Sequence, residues 1–295
     1  MLFKYKNIVY LYLYKKPHMS KKALLIGINY YETPSAKLNG CINDVVNVRN
    51  MLIDAYGYED TNITVLRDDT ANKPTAANIV KQLTSIVAQS ASLGQIWVHY
   101  SGHGSQIYDI NCDETDYNDE VIVPSDFTTF GVITDDMIFS IIKQSRCPTI
   151  LVFDSCNSGT VCDLAWNFNA VSATQVSVFK TNNSAVTNQN IFCFSGCRDE
   201  QTSADIYNIS SAQSCGALST AFIESLRLNK HNVDVKTLYL SVVAYLKQMG
   251  MNQIPQFSSS SQKPVYQLVR AASQAAVNPQ RVALVMQSIM RGISL

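Results

Sequence analysis

The chain is short of the residues that build metal and nucleic-acid sites. It has four histidines, and its eight cysteines are scattered with no CxxC pair, so a structural zinc site is not expected. It has no excess of either charge: 23 Lys and Arg balance 23 Asp and Glu. That balance offers no basic face to a nucleic acid or to an anionic membrane. No internal repeat is visible. A Tyr-rich apolar run near the start, Ile8 to Tyr14, is flanked by lysines. It is far short of the roughly 18 residues that cross a bilayer, and no small-residue cleavage site follows it. An added edge strand, a weak membrane-surface element or sequence upstream of a start at Met19 are the readings it allows, with the membrane role least favoured.

What is present is enough chain, 295 residues, to bury a sizeable core. A chain of this size does not need disulfides, so reduced thiols and a cytoplasmic location are the expectation. Apolar runs alternate with segments of helical period. "KKALLIGINY" reads as a buried strand. After it, Ile42, Val45, Val46, Arg49 and Leu52 fall at helical spacing, with Gly57 at the stop. "NITVLRD" is a second strand, and Pro74 opens a helix with Ile79, Leu83, Ile86 and Val87 inward. "QIWVHYSGHG" is a third strand. Thr134 suits the cap of a helix bearing Met137, Ile138, Ile141 and Ile142, and "PTILVFDSC" is a fourth strand. The alternation predicts an α/β fold with a mostly parallel central sheet and helices on both faces. Ligands in such sheets gather at the carboxyl ends of the strands.

The expected organisation is an N-terminal extension (1–19), a larger region (20–165), an exposed polar linker (166–190) and a smaller region (191–295). Helices are expected near 215–229 and 234–249, with "PVYQLV" as a late strand and a helical tail from 277.

The chemistry lies at the strand ends. Ser101 and His103 close the third strand two residues apart, and Asp154 and Cys156 close the fourth at the same spacing. If these strands are neighbours, the four side chains converge. A thiol needs a base to become a thiolate, and His103 is the natural candidate for Cys156. Gly102 and Gly104 allow close backbone approach, and the amides of Gly104 and Cys156 suit an oxyanion. His99, inside the strand, reads as a packing histidine. Between Ile107 and Asp126 seven acids occur with no Lys or Arg. That is either a solvated loop or the holder of a cation, and oxygen ligands of this kind favour Ca²⁺. The stretch lacks the spacing of an EF-hand.

The segments "GCINDV", "HYSGHGSQ", "DSCNSG" and "FSGCRDEQTSAD", in this order, resemble the signature segments of type I metacaspases, the caspase-like cysteine peptidases. The resemblance runs from about residue 22 to 268. It implies a caspase-like (caspase-hemoglobinase) sandwich and a calcium-dependent cysteine endopeptidase with a His103–Cys156 dyad, cutting polypeptides after Arg or Lys. The matching pocket positions are Cys41, Asp44, Ser101 and Asp154. The matching calcium positions are Asp119, Asp135, Asp136 and Asp163. Two carboxylates at one pocket suit a guanidinium or ammonium group and would repel an Asp side chain. Lys180 is the only Lys or Arg between 166 and 190, which makes it the expected self-processing site. The resemblance also implies a monomer.

Departures are few. Asn157 stands where many members have His, and Cys197 matches a second family cysteine. No Pro/Gln-rich or zinc-finger arm is visible, so regulation through one is not expected. The rival readings are a non-catalytic caspase-like regulatory or binding protein and a caspase-fold peptidase of different specificity, such as an Asn-directed one.

Overall fold

The structure, a computed structural model, describes residues 19–108, 118–155, 162–181, 183, 185–196, 205–208, 213–251 and 253–272. The Tyr-rich run, the expected tail helix, and Cys156, Asn157 and Cys197 lie outside the described residues.

The elements run β1 (Lys21–Gly27), α1 (Cys41–Tyr56), β2 (Ile63–Arg67), α2 (Ala76–Ala88), β3 (Gln95–Ser101), β4 (Gly104–Tyr108), β5 (Asn118–Ile122), α3 (Phe127–Phe130), β6 (Ile133–Thr134), α4 (Asp135–Ile142) and β7 (Thr149–Asp154). Then come β8 (Trp166–Ala170), β9 (Val176–Lys180), β10 (Ile191–Ser195), β11 (Asp205–Asn208), β12 (Gln213–Gly216), α5 (Ala217–Leu228), β13 (Asn232–Asp234), α6 (Val235–Gln248), β14 (Gln256–Ser259) and β15 (Gln267–Val269). Eight strands form one sheet in the order β2-β1-β3-β7-β10-β14-β8-β9. The first five are mutually parallel, and the last three add antiparallel. The expected α/β architecture is therefore present, and the sheet is continuous across the boundary between the larger and smaller regions.

Period-two burial explains the layers. On β3, Ile96, Val98 and Tyr100 face one side with Leu24, Ile26 and the apolar residues of α2 and α4. Trp97 faces the other side with α1, α5 and α6, and its ring meets Phe222 edge-on. Each fully buried large apolar side chain contributes roughly 1.5–3 kcal/mol. The expected inward set of α2 is buried throughout, and Thr75 caps that helix by accepting from the Asn78 N–H at 3.2 Å. Thr134 caps α4 in the same way at Met137. Gly57 ends α1 in the left-handed conformation, φ 67°.

Two expectations need correcting, the buried face of α1 and the linker. Val46 points outward, and Arg49 pairs with Asp60 at the surface. The buried stripe of α1 is Val45, Val48, Leu52 and Ala55, with Met51 beside it, because the sheet meets that helix one position round from the face first read. The stretch 166–190 is not an irregular linker: residues 166–180 form the β8–β9 hairpin at the edge of the main sheet. Phe168, fully buried against Phe257, anchors the hairpin, and its polar neighbours conceal the strand from sequence patterning.

No helix among the described residues is long and apolar enough to cross a membrane. Cys41, Cys147, Cys162 and Cys193 are buried and take part in no disulfide. Burial and the neighbouring Cys193 thiol push Cys162 well up, consistent with a packing role.

His99 is wholly buried beside Ser219 of α5, and burial lowers its pKa from 6.5 to about 3. The unfolded chain therefore binds a proton that the folded chain refuses. The stability this neutral imidazole allows is complete above pH 6.5 and falls as pH drops from 6.5 toward 3, by about 1.4 kcal/mol per pH unit. His99→Gln is expected to flatten the fall of the urea midpoint between about pH 6.5 and 5. Parallel curves for the two proteins would contradict this.

Candidate functional site

The register of the sheet builds the site. Gly27 of β1 lies beside Ser101 of β3, and Ser101 lies beside Asp154 of β7. The expected adjacency of the third and fourth strands is present, and their carboxyl ends finish level. Ser101 and Asp154 are both buried at this edge. The Gly102 N–H donates to the Asp154 carbonyl at 3.3 Å, after which the chain leaves the sheet.

Asp44 reaches the same point from the first turn of α1. It is 1% exposed. Its carboxylate accepts the Ser101 hydroxyl at 2.6 Å and the Gly216 N–H at 2.9 and 3.1 Å. Asp154 accepts the Ser219 N–H at 2.7 Å. Gly216 is the N-cap of α5, and Ser219 lies in its first turn, so the two carboxylates satisfy amide groups that a helix start leaves open. Each such charge-assisted bond is worth about 1.5–3 kcal/mol. Gly216 also shows how tightly the acids converge. A Cβ there would stand 2.1 Å from Asp154 Oδ2 and 2.9 Å from Asp44 Oδ2. Its φ of −66° is ordinary, so space and not backbone conformation demands glycine. Cys41, the first residue of α1, is buried, and its N–H donates to Asn29 Oδ1 at 3.1 Å. Of the expected pocket residues, Asp44, Ser101 and Asp154 thus meet directly, and Cys41 starts the helix that carries Asp44. Gly216 and Ser219 were missed from sequence. The only local signal was a Gly immediately before an apolar helical run.

His103 stands on the turn between β3 and β4, half-buried. Its Nε2 lies 2.7 Å from the Ala36 carbonyl oxygen, which can only accept. Nε2 therefore carries a proton, and in the neutral ring Nδ1 holds the free lone pair. Gly104 opens β4, opposite Ile122 of β5. The expected closeness at Gly102 is to side chains: a Cβ there would fall 2.6 Å from the Tyr100 hydroxyl oxygen and 3.1 Å from that of Tyr30.

The acidic corner is assembled from separate elements. Asp135, 1% exposed, begins α4; it accepts the Glu120 N–H at 3.2 Å and the Asp136 N–H at 2.9 Å. Burial, then the charge of Asp163, and more weakly Glu120, hold its carboxyl well above the usual range. Asp163 has a positive φ, 41°, just ahead of β8. Asp119 is buried next to Glu120 on β5 and, by strand alternation, on the opposite side of it. Asp136 is half-buried in the first turn of α4. Of the four expected positions, Asp135 and Asp163 are therefore brought together, with Glu120 as a neighbour that the sequence did not single out. Among the described residues no group of three or more His, Cys, Asp or Glu side chains closes into a metal cage. Lys180 ends β9, beside Trp166 of β8, and its Nζ donates to Asn183 Oδ1 at 2.8 Å.

Residues 21–165 match the family model of the metacaspase, peptidase C14 domain. The chain is 33% identical to Metacaspase-1A of Neurospora crassa, with 81% of this chain and 63% of that protein covered. It is 32% identical to Metacaspase-1 of Saccharomyces cerevisiae, with 84% and 68% covered. It thus spans between six- and seven-tenths of the length of these curated relatives. In three dimensions it is similar to a Geobacter sulfurreducens protein (TM-score 0.58, 21% identity, 82% of this chain and 94% of that one). It is also similar to caspase-1 from Spodoptera frugiperda (TM-score 0.55, 12% identity, 84% and 92%). At those identities the likeness is one of fold, and the fold is caspase-like. Sequence and architecture agree: the chain belongs to the metacaspases.

Proposed function

We propose that the protein is a cysteine endopeptidase that cleaves polypeptides after Arg or Lys. The observation that carries this reading is the convergence of the buried carboxylates of Asp44 and Asp154 around Gly216, at the strand edge that leads to His103 and Cys156. Held by amide and hydroxyl donors, both acids are fixed before a ligand arrives, so a guanidinium or ammonium group meets a prepared anion pair. An acidic substrate side chain would be repelled there, and a neutral one would bring no positive charge to the pair.

His103, protonated on Nε2 by its bond to Ala36, takes the Cys156 thiol proton on Nδ1. The thiolate sulfur attacks the scissile carbonyl carbon, and the resulting oxyanion is received by the amides of Gly104 and Cys156. As the tetrahedral carbon collapses, the C–N bond breaks and His103 returns its proton to the leaving amine. Water, deprotonated by the same nitrogen, then hydrolyses the acyl-enzyme and frees Cys156.

Calcium fits the donor chemistry of the acidic corner. Asp135 is buried against the charge of Asp163, an arrangement of hard oxygen donors that a divalent cation would neutralise. Asp119, Asp135, Asp136 and Asp163 would hold it, and its charge would offset the repulsion between the Asp135 and Asp163 carboxylates. Self-processing after Lys180 is part of the same reading. The residue is exposed and extended on the open edge of the sheet, in the form that peptidase clefts receive.

Cys156→Ala is expected to lower hydrolysis of an Arg-containing peptide by about a thousand-fold or more while leaving circular dichroism unchanged. Activity near the wild-type level would sink the nucleophile. Excess EDTA should remove activity and added Ca²⁺ restore it, so an enzyme indifferent to chelation rules out the cation. Gly216→Ala forces the carboxylates apart. It should raise KM for Arg peptides by about tenfold or more, and an unchanged KM would detach these acids from substrate binding.

A further inference from the structure

His103 sits outside any strand or helix, so its main-chain hydrogen bonds say what fixes it. The Tyr30 hydroxyl accepts the His103 N–H at 2.9 Å and donates to the Val123 carbonyl at 2.7 Å. The Tyr100 hydroxyl donates to the His103 carbonyl at 2.7 Å. That carbonyl also accepts the Val123 N–H at 3.1 Å. The Tyr30 ring packs against the imidazole, with centroids 4.7 Å apart and planes tilted by 39°. Both tyrosines are buried, at 2% and 0% exposure, and their hydroxyl oxygens lie 3.3 Å apart. Gly102 is the residue that leaves room for the pair.

Tyr30 is itself held in an unusual way. Its φ is 54°, a left-handed backbone that a bulky residue seldom adopts. Asp68, buried, accepts the N–H groups on either side of it, from Asn29 at 3.1 Å and Tyr31 at 3.2 Å. The Tyr30 carbonyl receives the Thr33 N–H, which starts the turn that delivers Ala36 to His103. One loop therefore supplies the imidazole with a ring face, a main-chain acceptor and a tautomer-fixing carbonyl. A core tyrosine placed only to fill volume has no need of this backbone, or of a hydroxyl aimed at the main chain of the neighbouring histidine.

We infer that Tyr30 and Tyr100 are positioning residues for the His103 imidazole: their hydroxyls clasp the amide and carbonyl of His103, and the Tyr30 ring sets the plane in which Nδ1 presents its lone pair. The inference rests on the proposed role of His103 as base. Burial, with the neighbouring tyrosine, holds the Tyr30 hydroxyl well above its ordinary pKa, so this donor keeps its proton across the working pH range.

The test compares Tyr30→Phe and Tyr100→Phe with His103→Ala in the full chain. It uses steady-state kinetics on an Arg peptide, the pH–rate profile, and the rate at which iodoacetamide alkylates Cys156. Tyr30→Phe keeps the ring and removes only the hydroxyl. It should lower kcat by about 10- to 100-fold with KM within about twofold, move the acidic limb of the pH–rate profile and slow alkylation, with far-UV circular dichroism unchanged. Tyr100→Phe should act in the same direction. If His103→Ala remains active, the base assignment fails whatever the tyrosines do. If His103→Ala is inactive while both Phe variants match wild type in kcat and pH profile, the positioning role is overturned and the base assignment stands. If either Phe variant loses its fold, the other carries the test, and loss of fold in both overturns the inference by making the hydroxyls structural.

Discussion

Three parallel strands, β1, β3 and β7, stop at the same height, and the site depends on that alignment. With Gly27, Ser101 and Asp154 side by side, the edge of the sheet becomes a row of short or acidic groups facing the start of α1. A slip of one residue in β3 would turn Ser101 to the other face of the sheet and send Tyr100 toward Asp44. The alternation that fixes this register is strong, because β3 is buried along its whole length and its two faces meet different cores. The apolar packing thus specifies the placement of the polar groups.

The second half of the chain completes what the first begins. Asp44 and Asp154 both come from residues before 155, yet the amides that hold them belong to Gly216 and Ser219. Those amides are in place because β10 and β14 extend the same sheet and α5 packs on the same face as α1. The carboxylates help to start α5, and α5 helps to aim the carboxylates. The cost of burying two acids is offset by hydrogen bonds to the main chain, and the pair is held in place by them.

Much of the fold was legible in the sequence because the strands of the parallel half are apolar throughout and the helices between them carry a clear period. Capping at Thr134 and the stop at Gly57 are local signals, and both hold. The β8–β9 hairpin escaped detection because its only deep anchor, Phe168, sits among Asn, Ser and Thr, and its outer strand is exposed. The face of α1 was misjudged at Val46 because helical spacing alone does not say where the sheet lies. Within the site, Asp44, Ser101 and Asp154 could be paired from spacing and resemblance. The Ala36 carbonyl, the Gly216 amide and the two tyrosine hydroxyls could not. These are main-chain or distant contacts whose partners lie 67, 172 and 73 residues away in the case of Ala36, Gly216 and Tyr30. Asp163 and Asp135, far apart in sequence, interact only because the start of α4 and the residues ahead of β8 meet in space.

The central claim is that two buried carboxylates choose the substrate. The most direct measurement is kcat/KM, with Ca²⁺ present, for four peptides that differ only in carrying Arg, Lys, Asp or Asn before the scissile bond. The account predicts that Arg and Lys exceed Asp and Asn by about a hundred-fold or more, since only a cationic side chain brings the positive charge that the anion pair attracts. Cleavage after Asp or Asn at a rate equal to that after Arg would contradict it.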